Sequence, residues 1–192
     1  MVSRETLITL YFSTKQEEIH KYAVFLTSEG IERGLIGPHE GERIWERHIF
    51  NSLPVISLIP EGASIIDIGS GAGLPGIPIA LARPDLHVTL VEPLQRRVDF
   101  LNEAVEGLSI TVLRGRAQDF TIKADYVTAR AVAPLEKLKR IGWHLVKKGG
   151  SLLAIKGESA DEEVAQVAGA RLHEIELPGL PLGRVISLQK TG

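Results

Sequence analysis

Apolar residues follow two different patterns along this chain of 192 residues. In residues 1–60 they recur at the three- and four-residue spacing of an amphipathic helix, as Ile19, Tyr22 and Leu26 show. Beyond them, short apolar runs alternate with segments of helical spacing. The two patterns predict a small helical N-terminal extension over residues 1–60, packed on an α/β domain over residues 61–192.

Seven short apolar segments of the second region are bounded by turn residues, as β-strands are. Their alternation with helices predicts a Rossmann-like α/β fold, with a mainly parallel seven-stranded sheet and helices on both faces. A short linker joins the last two strands and predicts an antiparallel pair at the sheet edge. The predicted strands are Ser64–Ile68, Leu86–Val91, Ile110–Leu113, Tyr126–Ala129, Leu152–Ile155, Leu172–Leu177 and Arg184–Leu188.

The first strand runs directly into a glycine-rich turn. Gly69, Gly71, Gly73 and Gly76 follow one another at short intervals, and an apolar helical pattern begins after them. Glycine permits positive φ and lets a ligand approach the backbone, while the helix N-terminus offers free N–H groups. We interpret this segment as a nucleotide-binding turn.

Two nucleotide-binding motifs match this turn. The spacing of Gly71, Gly73 and Gly76 fits a dinucleotide fingerprint, whereas the segment that begins at Asp67 fits the first motif of an S-adenosylmethionine (SAM) methyltransferase. The strand already ends at Gly69, and a carboxylate beside the turn repels a pyrophosphate but attracts an ammonium and a sulfonium. Both features favour SAM; a turn without a ligand is the remaining alternative.

Two further segments are candidates for cofactor contacts. Glu92 ends the second strand, about 20 residues after the turn, where an acid can bind both ribose hydroxyls. Ribose binding does not separate SAM from NAD, and a surface glutamate is the plain alternative. Ala117 and Gln118 follow the third strand, where an apolar wall and a hydrogen-bonding group can border an adenine.

Basic residues are expected at the same rim of the sheet. Arg130 ends the fourth strand and Lys156 ends the fifth, so both side chains would point into one cleft. Arg130 could bind the methionine carboxylate, an RNA phosphate or Asp67. Three residues of the N-terminal extension share a helical face, which is either an RNA contact or simply solvated: Arg43, Arg47 and His48.

The composition of the chain excludes several classes of site and of protein. The chain has no cysteine, which excludes disulfides and a cysteine nucleophile, and its six scattered histidines predict no metal site. No run approaches the roughly 18 apolar residues of a membrane helix, and the start does not have the order of a signal peptide. We therefore expect a cytoplasmic monomer without a membrane partner. The net charge of −2 neither indicates nor forbids nucleic-acid binding.

Four segments carry a resemblance to a known family: Arg47–Ser52, Asp67–Gly76, Arg96–Leu101 and Thr128–Ala131. Over residues 35–160 or so, the chain resembles the bacterial 16S ribosomal RNA guanine-N7 methyltransferases, also called glucose-inhibited division protein B. The continuation of the glycine motif as Leu-Pro-Gly is specific to that family.

The resemblance implies methyl transfer from SAM to N7 of one guanine in 16S ribosomal RNA of the small ribosomal subunit. It implies cofactor contacts at Gly69, Leu74, Ala117, Gln118 and Arg130. The chain departs from the family pattern at two positions, each time replacing a common acid by an amide. These positions are Asn51 and Gln118.

The residues agree with this chemistry. N7 of guanine presents a lone pair, so no general base is needed, and positioning can supply most of the catalysis. We expect Arg130 to position the reactants, with Lys156, Arg43, Arg47 and His48 holding the RNA. A methyltransferase for a small molecule or protein is the alternative, and a non-catalytic or NAD-dependent nucleotide-binding domain is a third hypothesis.

Overall fold

A computed structural model describes residues 2–191 of the chain. The strands are β1 (Ser64–Ile68), β2 (His87–Glu92), β3 (Ile110–Arg114), β4 (Ala124–Arg130), β5 (Val146–Lys156), β6 (Ala170–Ile175) and β7 (Gly183–Gln189). They form one sheet in the order β3-β2-β1-β4-β5-β7-β6. Strand β7 runs antiparallel to both neighbours and the other pairs are parallel, which confirms the predicted sheet.

The fifth strand is longer than predicted. It begins at Val146, six residues before the predicted start at Leu152, and it includes Gly149 and Gly150. A side chain at Gly150 would collide with the carbonyl oxygen of Asp125, so glycine here lets β4 and β5 approach each other. The pairing of these strands is irregular at the same place, between Ala124 and Tyr126.

The α-helices are α1 (Arg4–Tyr11), α2 (Gln16–Phe25), α3 (Gly76–Ala82), α4 (Gln95–Ala104), α5 (Leu135–Gly142) and α6 (Ala160–Gln166). The second half of the N-terminal extension is less regular than predicted. Ile44–Ile49 is a π-helical segment, and the 3₁₀ turns Phe50–Ser52 and Pro54–Leu58 follow it. Pro54 has no N–H to donate, so a continuous helix cannot pass through it. Of the helices in the described part of the chain, none is long and apolar enough to span a bilayer.

Two hydrophobic cores cover the two faces of the sheet. The first core joins the N-terminal extension, α3 and α4 to residues such as Ile65 and Leu153. The second core joins α5 and α6 to residues such as Ile66 and Leu152. Neighbouring residues of a strand point to opposite faces, as these pairs show. Because the extension shares the first core, its side chains are held firmly against the sheet.

The packing of the extension against β7 generates a stability prediction. A methyl group at Gly183 would collide with the ring of Pro54. Gly183→Ala should therefore lower the free energy of unfolding by about 1–3 kcal/mol, the usual cost of overpacking. Gly157→Ala is the matched control, since nothing lies within 4 Å of the position of its Cβ. Chemical denaturation checks this, and equal stability of the two variants would contradict it.

Candidate active site

Three glycines in the left-handed region of backbone space shape the turn after β1. Gly69, Gly71 and Gly73 have φ angles of 68°, 59° and 96°. A Cβ at Gly71 would meet only the carbonyl oxygen of Gly69, 3.9 Å away, whereas one at Gly73 would collide with Ile77. The turn is therefore packed against the protein at Gly73 and open on its Gly71 side, where a ligand can approach the backbone.

Asp67 lies beneath this turn with a fully buried side chain. Its carboxylate accepts hydrogen bonds from the Gly76 N–H at 3.3 Å and from the Thr128 hydroxyl at 3.0 Å. Burial raises the pKa of the Asp67 carboxyl to about 6, against the lowering influence of these bonds and of Arg130. The carboxylate thus ties β1 to α3 and β4, and its contact with the cofactor stays a prediction.

Glu92 joins the glycine turn to the start of α4. Its side chain is 1% exposed, and one carboxylate oxygen accepts from the Gly71 N–H at 3.0 Å. The other oxygen accepts from the Leu94 N–H, also at 3.0 Å, and Arg97 lies 3.7 Å from the carboxylate. Each oxygen has more than one lone pair, so the predicted bonds to ribose hydroxyls are compatible with these contacts.

Three more residues predicted to border the cofactor have different surroundings. Leu74 is buried in the first core, and Ala117 is buried in the second. Gln118 is exposed on the 3₁₀ turn Ala117–Asp119, which follows β3. The exposed amide of Gln118 thus lies next to the buried Ala117, and a polar and an apolar group of this kind suit the binding of an adenine. The roles of all three residues stay predictions.

Tyr22 also contacts the turn, a role that the sequence pattern did not show. Its side chain is 2% exposed, and its hydroxyl donates a 2.8 Å hydrogen bond to the Ala72 carbonyl oxygen. The hydroxyl oxygen would lie 3.1 Å from a Cβ at Gly73. Helix α2 therefore holds the second half of the turn in place. Helical spacing predicts only that Tyr22 is a core residue.

A cleft of about 770 Å³ lies at the carboxyl ends of β4 and β5. The loop after β4 forms one of its walls, and Ala131 there has a φ of 54°. A methyl group of Val132, in the same loop, would lie 2.9 Å from a Cβ at Gly69. One loop thus touches both the glycine turn and the cleft, which makes them adjoining parts of one site.

Arg130 enters the cleft from the end of β4 and is fixed by the N-terminal extension. Its guanidinium donates to the His48 carbonyl oxygen at 3.1 Å and lies 3.1 Å from His48 Nδ1. His48 Nε2 lies 2.8 Å from a carboxylate oxygen of Glu40. A guanidinium can only donate, so Nδ1 must accept and Nε2 must carry the proton that is shared with Glu40. The three residues form one chain of hydrogen bonds.

The local environment keeps this histidine neutral. Burial lowers the pKa of His48, and the charge of Arg130 lowers it further, while the hydrogen bond to Glu40 raises it; the net direction is downward. Burial also lowers the pKa of Arg130. A protonated imidazole would present a second N–H to the guanidinium, so the hydrogen bond between His48 Nδ1 and Arg130 would be lost.

The other predicted RNA-binding residues are mostly paired with acids. Arg47 lies 3.0 Å from Glu40, and Lys156 lies 2.8 Å from Glu163. The structure brings Arg47, His48, Arg130 and Lys156 together along the cleft. Sequence reasoning missed both carboxylates, because neither belongs to a motif.

Arg43 is the exception among them. Its side chain is exposed, and it does not line the cleft.

Within residues 2–191 no cluster of three or more histidine, aspartate or glutamate side chains has the geometry of a metal site.

Comparisons with known proteins agree with this geometry. A family model described as "rRNA small subunit methyltransferase G" (GidB) matches residues 15–175. The chain belongs to this family. It is 52% identical over 162 residues to the Ribosomal RNA small subunit methyltransferase G of Mycolicibacterium vanbaalenii, and 57% identical over 153 residues to that of Thermobifida fusca. These matches cover 81% and 76% of this chain, and 71% and 64% of the relatives.

A likeness to solved structures shows the fold of SAM-dependent methyltransferases. TYW2 of M. jannaschii, solved in complex with AdoMet, superimposes with a TM-score of 0.53 at 18% sequence identity. The match covers 73% of each chain. Methyltransferases of this family and fold use SAM, and the open glycine backbone at Gly71 beside the Glu92 carboxylate fits such a nucleoside.

The Tyr22 contact generates a prediction about cofactor affinity. Tyr22→Phe leaves the buried carbonyl oxygen of Ala72 without its partner, and such a loss costs about 1–3 kcal/mol. We expect SAM binding, measured by calorimetry, to weaken about tenfold, which corresponds to about 1.4 kcal/mol. The Michaelis constant for RNA should not change.

Tyr11→Phe is the matched control for that experiment. Its hydroxyl also donates at 2.8 Å to a backbone carbonyl, but that carbonyl belongs to Pro178, outside the glycine turn. SAM should bind this variant as it binds the unmodified protein. Equal SAM affinity of both variants would show that Tyr22 stabilises the fold without shaping the site.

The hydrogen-bond chain generates a prediction about pH. Protonation of His48 removes one of the hydrogen bonds that fix Arg130, so methyl transfer should fall as the pH drops through the pKa of His48. The Glu40 carboxylate raises that pKa, so in Glu40→Gln the acid limb should move to lower pH. Initial rates over an acid-to-neutral pH series check this. An acid limb that stays in place, or moves to higher pH, would exclude His48 as its origin.

Proposed function

We propose that this chain transfers a methyl group from SAM to N7 of a guanine in 16S ribosomal RNA. The observation that carries the proposal is the family match over residues 15–175, which contains both the glycine turn and the cleft residues. Relatives at 52% and 57% identity carry the name Ribosomal RNA small subunit methyltransferase G. The geometry supports it, because an open nucleotide turn adjoins a cleft that contains Arg130.

Bound SAM supplies an electrophilic methyl group. The glycine turn and Glu92 bind the cofactor, and the loop from Arg130 to Pro134 borders both the turn and the cleft, so the base can lie next to the cofactor. N7 of guanine attacks with its own lone pair, so no residue of this chain has to remove a proton. The residues need only hold the base in the orientation in which N7 faces the methyl group. Arg130 is suited to this task, because three groups of the protein fix its guanidinium: the His48 carbonyl oxygen, His48 Nδ1 and the Ser52 hydroxyl.

The carboxylates of the cleft suit the product of this reaction. Methylation at N7 leaves the purine with a positive charge, because no proton leaves that atom. Glu40 and Glu163 both line the cleft, and their negative charges favour this developing cation. Asn51 also lines the cleft and offers a neutral amide, so the change from the family's acid leaves a hydrogen-bonding group in place.

Two finer statements belong to the same proposal. The enzyme acts in the cytoplasm, where ribosomal RNA is assembled into subunits, and it acts as a monomer. Light scattering of the purified protein, alone and with SAM, tests the second statement.

Methyl transfer from radiolabelled SAM tests the function. The substrates are small ribosomal subunits from cells that lack the enzyme, and total small RNA. Label at a guanine N7 of 16S ribosomal RNA, located by strand scission after mild reduction and aniline, is the expected result. SAM binding without label in either pool would overturn the RNA substrate and favour a small-molecule or protein acceptor.

The role of Arg130 has its own test. Arg130→Ala should lower methyl transfer roughly 100-fold, as loss of precise positioning does, while circular dichroism shows that the fold is retained. Arg83→Ala is the matched control, since Arg83 is also half-buried and also donates to carbonyls of the N-terminal extension, those of Ile56 and Ile59. The control should lose stability but retain activity. Full activity of Arg130→Ala would exclude the positioning role.

A further inference from the structure

A second cleft, of about 570 Å³, lies at the opposite end of the sheet. Its lining includes Tyr126 of β4 and Ser151 of β5, which pair with each other in the sheet. The catalytic cleft contains Lys156, five residues further along β5, which corresponds to about 17 Å of extended strand. The lining also includes Leu153, so the second cleft begins toward the opposite end of these strands and extends part of the way along the sheet.

The two clefts differ in how their charges are balanced. In the catalytic cleft, Arg47 and His48 contact Glu40, and Lys156 contacts Glu163. The second cleft is lined by cations and neutral hydrogen-bonding groups, and no carboxylate belongs to the described residues that line it.

Two lysines lie near an aromatic ring at the second cleft: Lys139 lines the cleft, and Lys190 lies beside it. The ammonium of Lys139 lies 5.7 Å from the ring centroid of Trp143, and that of Lys190 lies 5.5 Å from it. Lys190 is fixed by hydrogen bonds to the carbonyl oxygens of Trp143 and Val146, at 2.8 and 2.9 Å. Within residues 2–191 neither ammonium is paired with an acid.

Two other cations enlarge this positive region. Arg171 lines the cleft near the start of β6, and its exposed side chain makes no ion pair with the described residues. Burial lowers the pKa of the Lys190 ammonium, and the positive charge of the nearby Lys123 lowers it further. Like charges repel, so gathering them without acids is unfavourable unless an anion occupies the region.

We propose that this second cleft, which we call the basal cleft, binds the phosphodiester backbone of the RNA substrate at a distance from the methylated base. The inference rests on the proposed function, since it takes ribosomal RNA as the partner. Several separated, unpaired cations on an open surface match a chain of phosphates, and contacts of this kind orient RNA without reading its sequence. The catalytic cleft, in which Arg47 and Lys156 are paired with acids, can then be reserved for the base.

The experiment compares two double variants of equal charge change. Lys139→Gln with Arg171→Gln removes two cations of the basal cleft. Lys15→Gln with Lys21→Gln removes Lys15, just before α2, and Lys21 within it, each paired with a glutamate of that helix. Binding of unmethylated 16S ribosomal RNA is measured by filter retention over a series of salt concentrations, and SAM affinity by calorimetry.

We expect the basal-cleft variant to bind RNA roughly tenfold more weakly at low salt, with a salt slope lower by about one to two. Its Michaelis constant for RNA should rise, while the turnover number at saturating RNA and the SAM affinity stay unchanged. The α2 variant should behave as the unmodified protein does. Arg171→Glu, which reverses one exposed charge, should weaken binding in the same direction.

Three results would overturn the inference. These are equal RNA binding by the two double variants, a loss that appears only in the turnover number, and saturable binding of inorganic phosphate at the basal cleft with RNA binding unaffected. Methyl transfer by the unmodified protein is measured on the same RNA. Its absence would refute the proposed function, whereas its presence with unchanged RNA binding by the variants refutes only the basal cleft.

Discussion

The buried carboxylate of Asp67 fixes the direction in which the chain leaves β1, and the glycine turn depends on it. Burial of a carboxylate is unfavourable, as its raised pKa of about 6 shows, and hydrogen bonds from Gly76 and Thr128 offset that cost. These bonds join the first strand to the next helix and the neighbouring strand. The turn between them is thereby held with its Gly71 side open, and Glu92 and Tyr22 complete its support.

The N-terminal extension is part of the site as well as part of the core. Tyr22 of α2 binds a carbonyl of the glycine turn, and His48 binds the guanidinium of Arg130. Both contacts arise because the extension packs on the same sheet face as α3. A change in the extension can therefore alter cofactor affinity or the position of Arg130 without touching either ligand.

Charge is distributed unevenly between the two ends of the sheet. The catalytic cleft combines Arg47, Lys156 and Arg130 with Glu40 and Glu163, so two of its cations are balanced by acids that also suit a base becoming cationic. The basal cleft has cations without acids and suits a polyanion. A net charge near zero for the whole chain thus conceals two local environments with different chemistry.

The sequence by itself determined the sheet, the nucleotide turn and the position of Glu92, because strand periodicity and glycine spacing are local properties of the chain. It also placed Arg130 and Lys156 correctly at one rim, since parallel strands end on the same side. Only the tertiary structure decided which partners these side chains have. Glu40, Glu163 and Tyr22 belong to no motif, and the contacts of Tyr22 and Arg130 join residues 50 and 82 positions apart. Such pairings depend on how the extension packs, which no local pattern encodes.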